Sequence, residues 1–224
     1  MLREIHALTP SQTDAVLRAV LTTVSKARYH LSAKHKGFDP LRVYYTSPSL
    51  LDEWVAPEYG FRVRDAGKVV GGEWDLNGRR FDEYVIYRSL VDRFEAGRSW
   101  EETPLYQRYA RRVRNGETCW HGCSSVEEVR QRCAYVDRLY ASIRENGYLH
   151  QSELDGPQQR KTVVYPSAQR EISVNVGRDG RLLLLDGRHR LAIAKILGIE
   201  EIPVHIAVVH AGWDGGLPEG VYAT

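Results

Sequence analysis

The stretch Arg181 to Val204, RLLLLDGRHRLAIAKILGIEEIPV, leaves the chain little conformational choice. Four consecutive leucines predict a buried strand. The strand stops at Asp186-Gly187 and a helix begins at once, running from Arg188 to Leu197. Ile202–Val209 then returns to strand character. Upstream, Glu171–Val176 predicts a further strand, joined to the leucine strand by an Asp179-Gly180 turn. Strand, turn, strand, helix, strand is the signature of an α/β fold, with α+β as the alternative.

The first turn of the helix at Arg188 breaks a local rule. A helix N-terminus already carries about half a positive charge, so a cation there is unfavourable by roughly 0.3–1 kcal/mol. Yet Arg188, His189 and Arg190 all fall in that turn. Asp186 is placed to cap the helix, and Gly187 lets a ligand approach the backbone. An anion on the free N–H groups resolves the conflict. Phosphate or pyrophosphate is the natural candidate, with Arg188 and Arg190 forking onto its oxygens. The plainer alternative has both arginines pointing outward while Asp186 neutralises the turn.

The rest of the chain is mixed. Thr9 and Pro10 open a helix with Val16, Leu17, Val20, Leu21 and Val24 at helical spacing, and its basic continuation, Lys26 to Lys36, ends at Gly37. Leu41 to Thr46 is rich in strand formers, and Ser47-Pro48-Ser49 predicts a short helix around Leu50 to Trp54. Residues 56–80 read as strands and loops. Helical patterning returns over 82–114, with Tyr84, Tyr87, Leu90, Val91 and Phe94 on one face and a basic helix from Leu105 to Val113. Val126 to Asn146 is a strong helix between a serine cap and Gly147. Residues 151–168 read as an inserted loop, and 211–224 as a Gly-rich tail.

Asp186-Gly187-Arg188-His189-Arg190, followed by Leu197-Gly198-Ile199 and Ile202-Pro203-Val204, resembles the ParB/sulfiredoxin superfamily. The helix ending Val136 to Gly147 is similar to that family's preceding helix, with Ser142, Ile143 and Gly147 at matching places. The resemblance covers 135–210, about a third of the chain. It implies a ParB/sulfiredoxin-like core at the C-terminal end, with residues 1–134 a helix-rich extension packed on it. Arg188 stands where sulfiredoxins carry their catalytic Cys, which argues against sulfinic-acid reduction. The chain ends fifteen residues after Val209, before the helix-turn-helix domain of chromosome-partitioning members would begin. Asp-Gly-x-His-Arg is most similar to the branch that includes free-serine kinases.

That branch implies a nucleotide-dependent phosphotransferase acting on a hydroxyl of a small molecule. Gly187, Arg188, His189 and Arg190 would hold nucleotide phosphates, and Asp186 would be the base or a Mg²⁺ ligand. The implied donor is ATP or ADP, with CTP as an alternative. Phosphoryl transfer needs a phosphate cradle, a divalent ion and a base. Gly71-Gly72-Glu73-Trp74-Asp75 is the local candidate for further carboxylates, since Glu73 and Asp75 share a face if the segment is extended. Trp74 would stack on a base or pack in the core. The alternative function is a nucleotide-sensing or nucleic-acid-binding ParB-like module without catalysis.

Other groupings carry less. Cys119, His121 and Cys123, with Cys133, could bind zinc, but buried free thiols are the simpler reading. His205 and His210 fall on opposite faces of their strand and would not share a metal. Composition narrows the class. Of 31 basic residues 25 are Arg, yet 29 acids leave a net charge of only +2, which forces neither a nucleic-acid nor a membrane partner. The basic end of the first helix leaves peripheral membrane contact as a third reading. No run of eighteen apolar residues predicts a membrane span. Three cysteines and an N-terminus without an apolar signal core predict a cytoplasmic protein.

Overall fold

Alternation along the leucine strand sets the layers. The computed structural model describes residues 10–31, 36–151, 153 and 168–223. Strand β6 (Leu182–Asp186) turns Leu182 and Leu184 into the larger core beneath the helices. Leu183 joins a smaller core on the opposite face with Val55, Trp74, Ala207 and Val208. A strand buried on both faces reads as a continuous apolar run, which is why the alternation is invisible in the sequence.

The described elements are α1 (Pro10–Leu31), β1 (Tyr44–Thr46), β2 (Glu53–Trp54), β3 (Lys68–Val70), β4 (Arg79–Arg80), α2 (Val85–Phe94), α3 (Pro104–Arg114), α4 (Val126–Asn146), β5 (Ile172–Val176), β6, α5 (Arg188–Ile196) and β7 (Ile202–His210). They form a mixed α/β structure around one seven-stranded sheet, in the order β1-β7-β5-β6-β2-β4, with β3 also pairing β7. β7 runs parallel to β5, and β6 antiparallel to it. β1 pairs the first half of β7 and β3 its second half, both on the edge away from β5.

Residues 1–134 therefore supply strands as well as helices. The three central strands, β5 to β7, come from the C-terminal third, and β1 to β4 extend their sheet on both sides. Where a short helix was expected around Leu50 to Trp54, Pro48–Leu50 is a single 3₁₀ turn, and Glu53–Trp54 pairs in parallel with β6. Pro48 opens that turn, but the exposed backbone edge of β6 captures the next residues. The predicted helices over 82–114 and Val126 to Asn146 are present, the latter closed by a Ser125–Glu128 capping box.

The apolar stripe of α1 does not face the core. Val16, Leu17, Val20 and Val24 are exposed, and the helix meets the body through buried Ser25 and through Arg28. Gln169 Nε2 donates to Ser25 Oγ at 2.9 Å, and Arg28 Nη1 donates to the Arg64 carbonyl at 2.8 Å. Gly67 lies so close that a Cβ there would sit 3.0 Å from the Arg28 Cβ. Backbone approach at Ser25 and Arg28 thus decides which face docks. The Thr9 cap, Lys34 and His35, and most of the insertion at 151–168 lie outside the described residues. Among the described residues no helix is long and apolar enough to cross a membrane.

His205 is fully buried in β7. Its Nε2 donates to the Pro40 carbonyl at 2.9 Å, so Nδ1 accepts from Ser173 Oγ at 3.2 Å. Burial pushes its pKa down to about 4, against a smaller upward pull from the Pro40 bond. The unfolded chain then binds a proton between pH 6.5 and 4 that the folded chain refuses. Stability is full above about pH 6.5 and falls on acidification by about 1.4 kcal/mol per pH unit. Urea unfolding from pH 7 to 4.5 should show this slope, and His205→Gln should remove that one-proton part of it.

Candidate functional site

β6 and α5 meet at Gly187, whose φ of 93° is left-handed. A Cβ there would lie 2.9 Å from Ile172 Cγ1 and 3.1 Å from Ile172 Cα. The glycine is thus required twice over, by its backbone conformation and by the seating of the turn against β5. Close approach of a ligand is not what demands it. Asp186 is exposed and does not cap the helix, because Gly187 occupies the N-cap position and has no side chain to accept from the first turn. No acidic residue follows in that turn. Neither Gly187 nor the first turn itself therefore offers the N-terminal donors of α5 a side-chain acceptor.

The three basic residues of the turn point to three different neighbours. The Arg188 guanidinium lies over the Trp54 and Tyr84 rings, at 5.8 and 5.6 Å from their centroids. The His189 ring faces Trp120 at 6.0 Å with 21° between planes, and Trp120 stacks in turn on Tyr109 at 4.9 Å. Arg190 Nη1 turns to Glu171 Oε2 at 3.8 Å, beside Tyr148. Neither the outward-pointing alternative nor a common fork of the two arginines describes this arrangement. Consecutive helical positions are about 100° apart, so each side chain meets whichever element packs on its side.

Burial pushes the His189 imidazole down to a pKa of about 3, and Arg132, His121 and Arg188 push in the same direction. It is neutral at physiological pH. Among the described residues, Arg132 Nε, Arg188 Nε, His189 Nε2 and Trp120 Nε1 are buried without a hydrogen-bond partner. A buried unpaired polar group costs about 1–3 kcal/mol, so such atoms are rare and cluster where a ligand belongs. On the other side of the same helix start, Arg190 Nη1, Glu171 Oε2 and Tyr148 Oη are likewise buried without a hydrogen-bond partner among the described residues.

Nothing in the local pattern singles out Glu171. It stands just before β5, and its side chain is only 2% exposed. Oε1 accepts from the Gln151 backbone N–H at 2.7 Å and lies 3.6 Å from His150 Nδ1. Burial raises its pKa, against the downward pull of the Gln151 N–H, Arg190 and His150. Only the sheet register reveals its role, by bringing the start of β5 beside the start of α5. A small cavity of about 30 Å³ opens next to Arg190, lined also by Tyr148, Ser142 and Gly147.

Glu73 and Asp75 are elsewhere. The Asp75 carbonyl accepts from Arg181 Nη2 at 2.8 Å, at the opposite end of β6 from Asp186. Five strand steps separate those ends, about 17 Å. Nor is the segment extended: the Leu76 N–H donates to the Glu73 carbonyl at 3.1 Å, closing a turn that exposes Glu73 and fully buries Asp75. Arg178 grips Asp75 through Nε and Nη2, each at 2.8 Å, while its backbone N–H donates to Oδ2 at 2.8 Å. Burial pushes the Asp75 carboxyl up, but these bonds and His210 outweigh it and hold the pKa at about 2. Trp74 packs in the smaller core, its Nε1 donating to the Val70 carbonyl.

Cys119, Cys123 and Cys133 are buried free thiols. Cys119 and Cys123 face each other across a turn in which Trp120 and His121 have positive φ. That turn delivers Trp120 to His189. Among the described residues no three His, Cys, Asp or Glu side chains are grouped to hold a metal ion. His205 and His210 have separate partners, His210 Nε2 donating to the Gly72 carbonyl. No protein-family model, curated protein or solved structure matches the chain.

Asp75→Asn should lower stability by about 2–3 kcal/mol, since it weakens a buried carboxylate's grip on Arg178. Wild-type stability should also fall as pH drops from about 4 towards 2, because the folded carboxylate resists a proton that the unfolded one accepts. Ligand binding at α5, measured by calorimetry, should not change in Asp75→Asn.

Proposed function

We infer that the chain is a nucleotide-dependent phosphotransferase acting on a hydroxyl of a small molecule, with nucleotide phosphates bound at the start of α5. The observation that carries this reading is the uncapped helix N-terminus ringed by unpartnered buried nitrogens from Arg188, His189 and Trp120. Helix N–H groups and guanidinium forks are suited to phosphate oxygens. The resemblance of Asp186-Gly187-Arg188-His189-Arg190 to the ParB/sulfiredoxin superfamily supports the same location.

Asp186 is the carboxylate at the mouth of this turn. It is exposed at the strand end, separated from the helix by Gly187 alone. As base it takes the proton from the acceptor hydroxyl, whose oxygen bonds to the terminal phosphorus as the bond to the nucleoside diphosphate breaks. In the alternative role Asp186 would instead hold Mg²⁺, which keeps most of its waters and needs only one or two carboxylates besides phosphate oxygens. When bound, it neutralises phosphate charge. Arg188 holds phosphate oxygens against the aromatic wall of Trp54 and Tyr84. Arg190, its charge met by Glu171, positions the turn. Glu73 and Asp75 take no part, because they lie at the far end of β6.

The distance of those two acids also favours a second reading. With one carboxylate at the turn, the site would bind nucleotide and catalyse nothing. The readings separate on product: phosphorus NMR finds a phosphorylated acceptor in one case and unchanged nucleotide in the other.

A thermal-shift panel of ATP, ADP, GTP and CTP, with and without Mg²⁺, should show one nucleotide raising Tm. Saturation at a hundred times Kd adds about 2.7 kcal/mol, roughly 5–10 °C in a chain this size. Asp186→Asn should keep that shift and lose turnover about 100-fold or more. No shift with any nucleotide would sink both readings. Arg190→Ala should lower stability even without ligand, by about 3 kcal/mol, since it strands buried Glu171 without its counter-charge. Glu171→Gln in the same chain should restore much of that loss.

A further inference from the structure

We propose that Cys119 and Cys123 form a reversible disulfide across their turn, and that closing it releases the Trp120 ring from His189 at the start of α5. The disulfide stands on its own geometry. Only its effect on nucleotide binding rests on the reading above.

The two cysteines are opposite each other in an antiparallel bridge, and the Cys119 N–H donates to the Cys123 carbonyl at 2.9 Å. They are therefore a hydrogen-bonded pair, whose side chains leave the same face from Cα atoms about 5.5 Å apart. Disulfides most often bridge Cα atoms about 5.5–6 Å apart. Cys133, by contrast, lies inside α4.

The two thiols hold the aromatic stack beside His189. Cys119 Sγ donates to the Tyr109 carbonyl at 3.9 Å, and Cys123 Sγ donates to the Trp120 carbonyl at 3.2 Å. Tyr109 and Trp120 are the residues whose rings stack at 4.9 Å, and Trp120 is the ring that faces His189. Each thiol thus fixes the backbone of one member of the stack. A disulfide has no S–H to donate. Forming it turns the sulfurs towards each other and removes both donors at once. Trp120 and His121 have φ of 41° and 63°, a region that non-glycine residues adopt at a cost. The reduced turn is held against that preference, and losing two bonds lets it relax and carry Trp120 away.

Thr118, His121, Gly122 and Ser124, which flank the two cysteines, are exposed, so the thiols lie one residue below the surface. Burial pushes both thiols up, so oxidation follows opening of the turn. The oxidant is hydrogen peroxide. One sulfur, as thiolate, attacks a peroxide oxygen. The O–O bond breaks, and the leaving oxygen takes up a proton and departs as water. The second sulfur attacks the sulfenic acid so formed, the S–O bond breaks, and the hydroxyl leaves as water with the second thiol's proton. Two thiols become one disulfide while one peroxide becomes two waters. A dithiol reverses the change by thiol–disulfide exchange and is itself oxidised.

Peroxide treatment of the wild-type protein, alkylation in denaturant and peptide mapping by mass spectrometry test this. Of the three free thiols only Cys133 should remain, with Cys119 joined to Cys123, and dithiothreitol should restore all three. The indole N–H resonance of Trp120, assigned with Trp120→Phe, should move on oxidation and return on reduction. Cys119→Ser and Cys123→Ser should show neither change. Three free thiols after peroxide, a disulfide through Cys133, or a Trp120 resonance unmoved by Cys119–Cys123 closure each overturns the proposal. If a serine variant does not fold, the wild-type map and resonance decide. Nucleotide affinity should fall about fivefold or more in the oxidised protein. Equal affinity in the two forms overturns the link from the turn to the site. Absence of nucleotide binding in both forms overturns the nucleotide reading alone, since the map and the resonance need no ligand.

Discussion

The seating of Gly187 on Ile172 is the contact on which the rest of the site depends. With no Cβ, the chain turns from β6 into α5 directly against β5, in a left-handed conformation and without a linker. The helix start is thereby fixed at the end of the central strands. It also loses any side-chain cap, because the residue in the capping position has no side chain. The same small residue that lets the layers close leaves the helix dipole unanswered at one defined point. Arg188, His189 and Arg190 are then distributed among three packed elements, with β2 and α2 on one side, the Cys119–Cys123 turn on another and the start of β5 on a third.

The two ends of the central strands have opposite electrostatic character. At the far end, Asp75 is fully satisfied by Arg178, and Arg181 ties Glu53 to the Asp75 backbone. Charges there are paired and hydrogen-bonded, the arrangement that makes a buried carboxylate tolerable. At the near end, Trp120, Arg188, His189 and Arg190 each keep a buried nitrogen without a hydrogen-bond partner among the described residues, and so does Oε2 of buried Glu171, which faces Arg190 at 3.8 Å. A chain selected only for stability would not leave several buried donors unmatched at one turn, since each costs about 1–3 kcal/mol. Departures of this kind concentrate at functional sites.

Much of the fold could be read in the residues. The leucine run, the Asp186-Gly187 break and the Arg188 helix follow from pattern alone, as do α4 with its capping box and the helices over 82–114. The conflict between three basic residues and the helix dipole was legible too, and the structure leaves it in place, with no acidic residue in the first turn. Less could be read where local preference was weak. Glu53-Trp54 went to a strand because β6 offered an unpaired edge. α1 docked through Ser25 and Arg28 because Gly67 allows close backbone approach there, whatever its apolar stripe suggested.

What the sequence determined by itself, then, was the strand–turn–helix unit and the chemical oddity of its first turn, because both depend on residues adjacent in the chain. Only the tertiary structure decided who shares that turn. Glu171 and Trp120 arrive from up to seventy residues upstream through sheet register and packing, and no local spacing encodes them. It also decided that Glu73 and Asp75 stand apart from Asp186, because the length of β6 lies between them. Sequence proximity sets which groups a short segment can present, whereas strand length and register set which of them can act together.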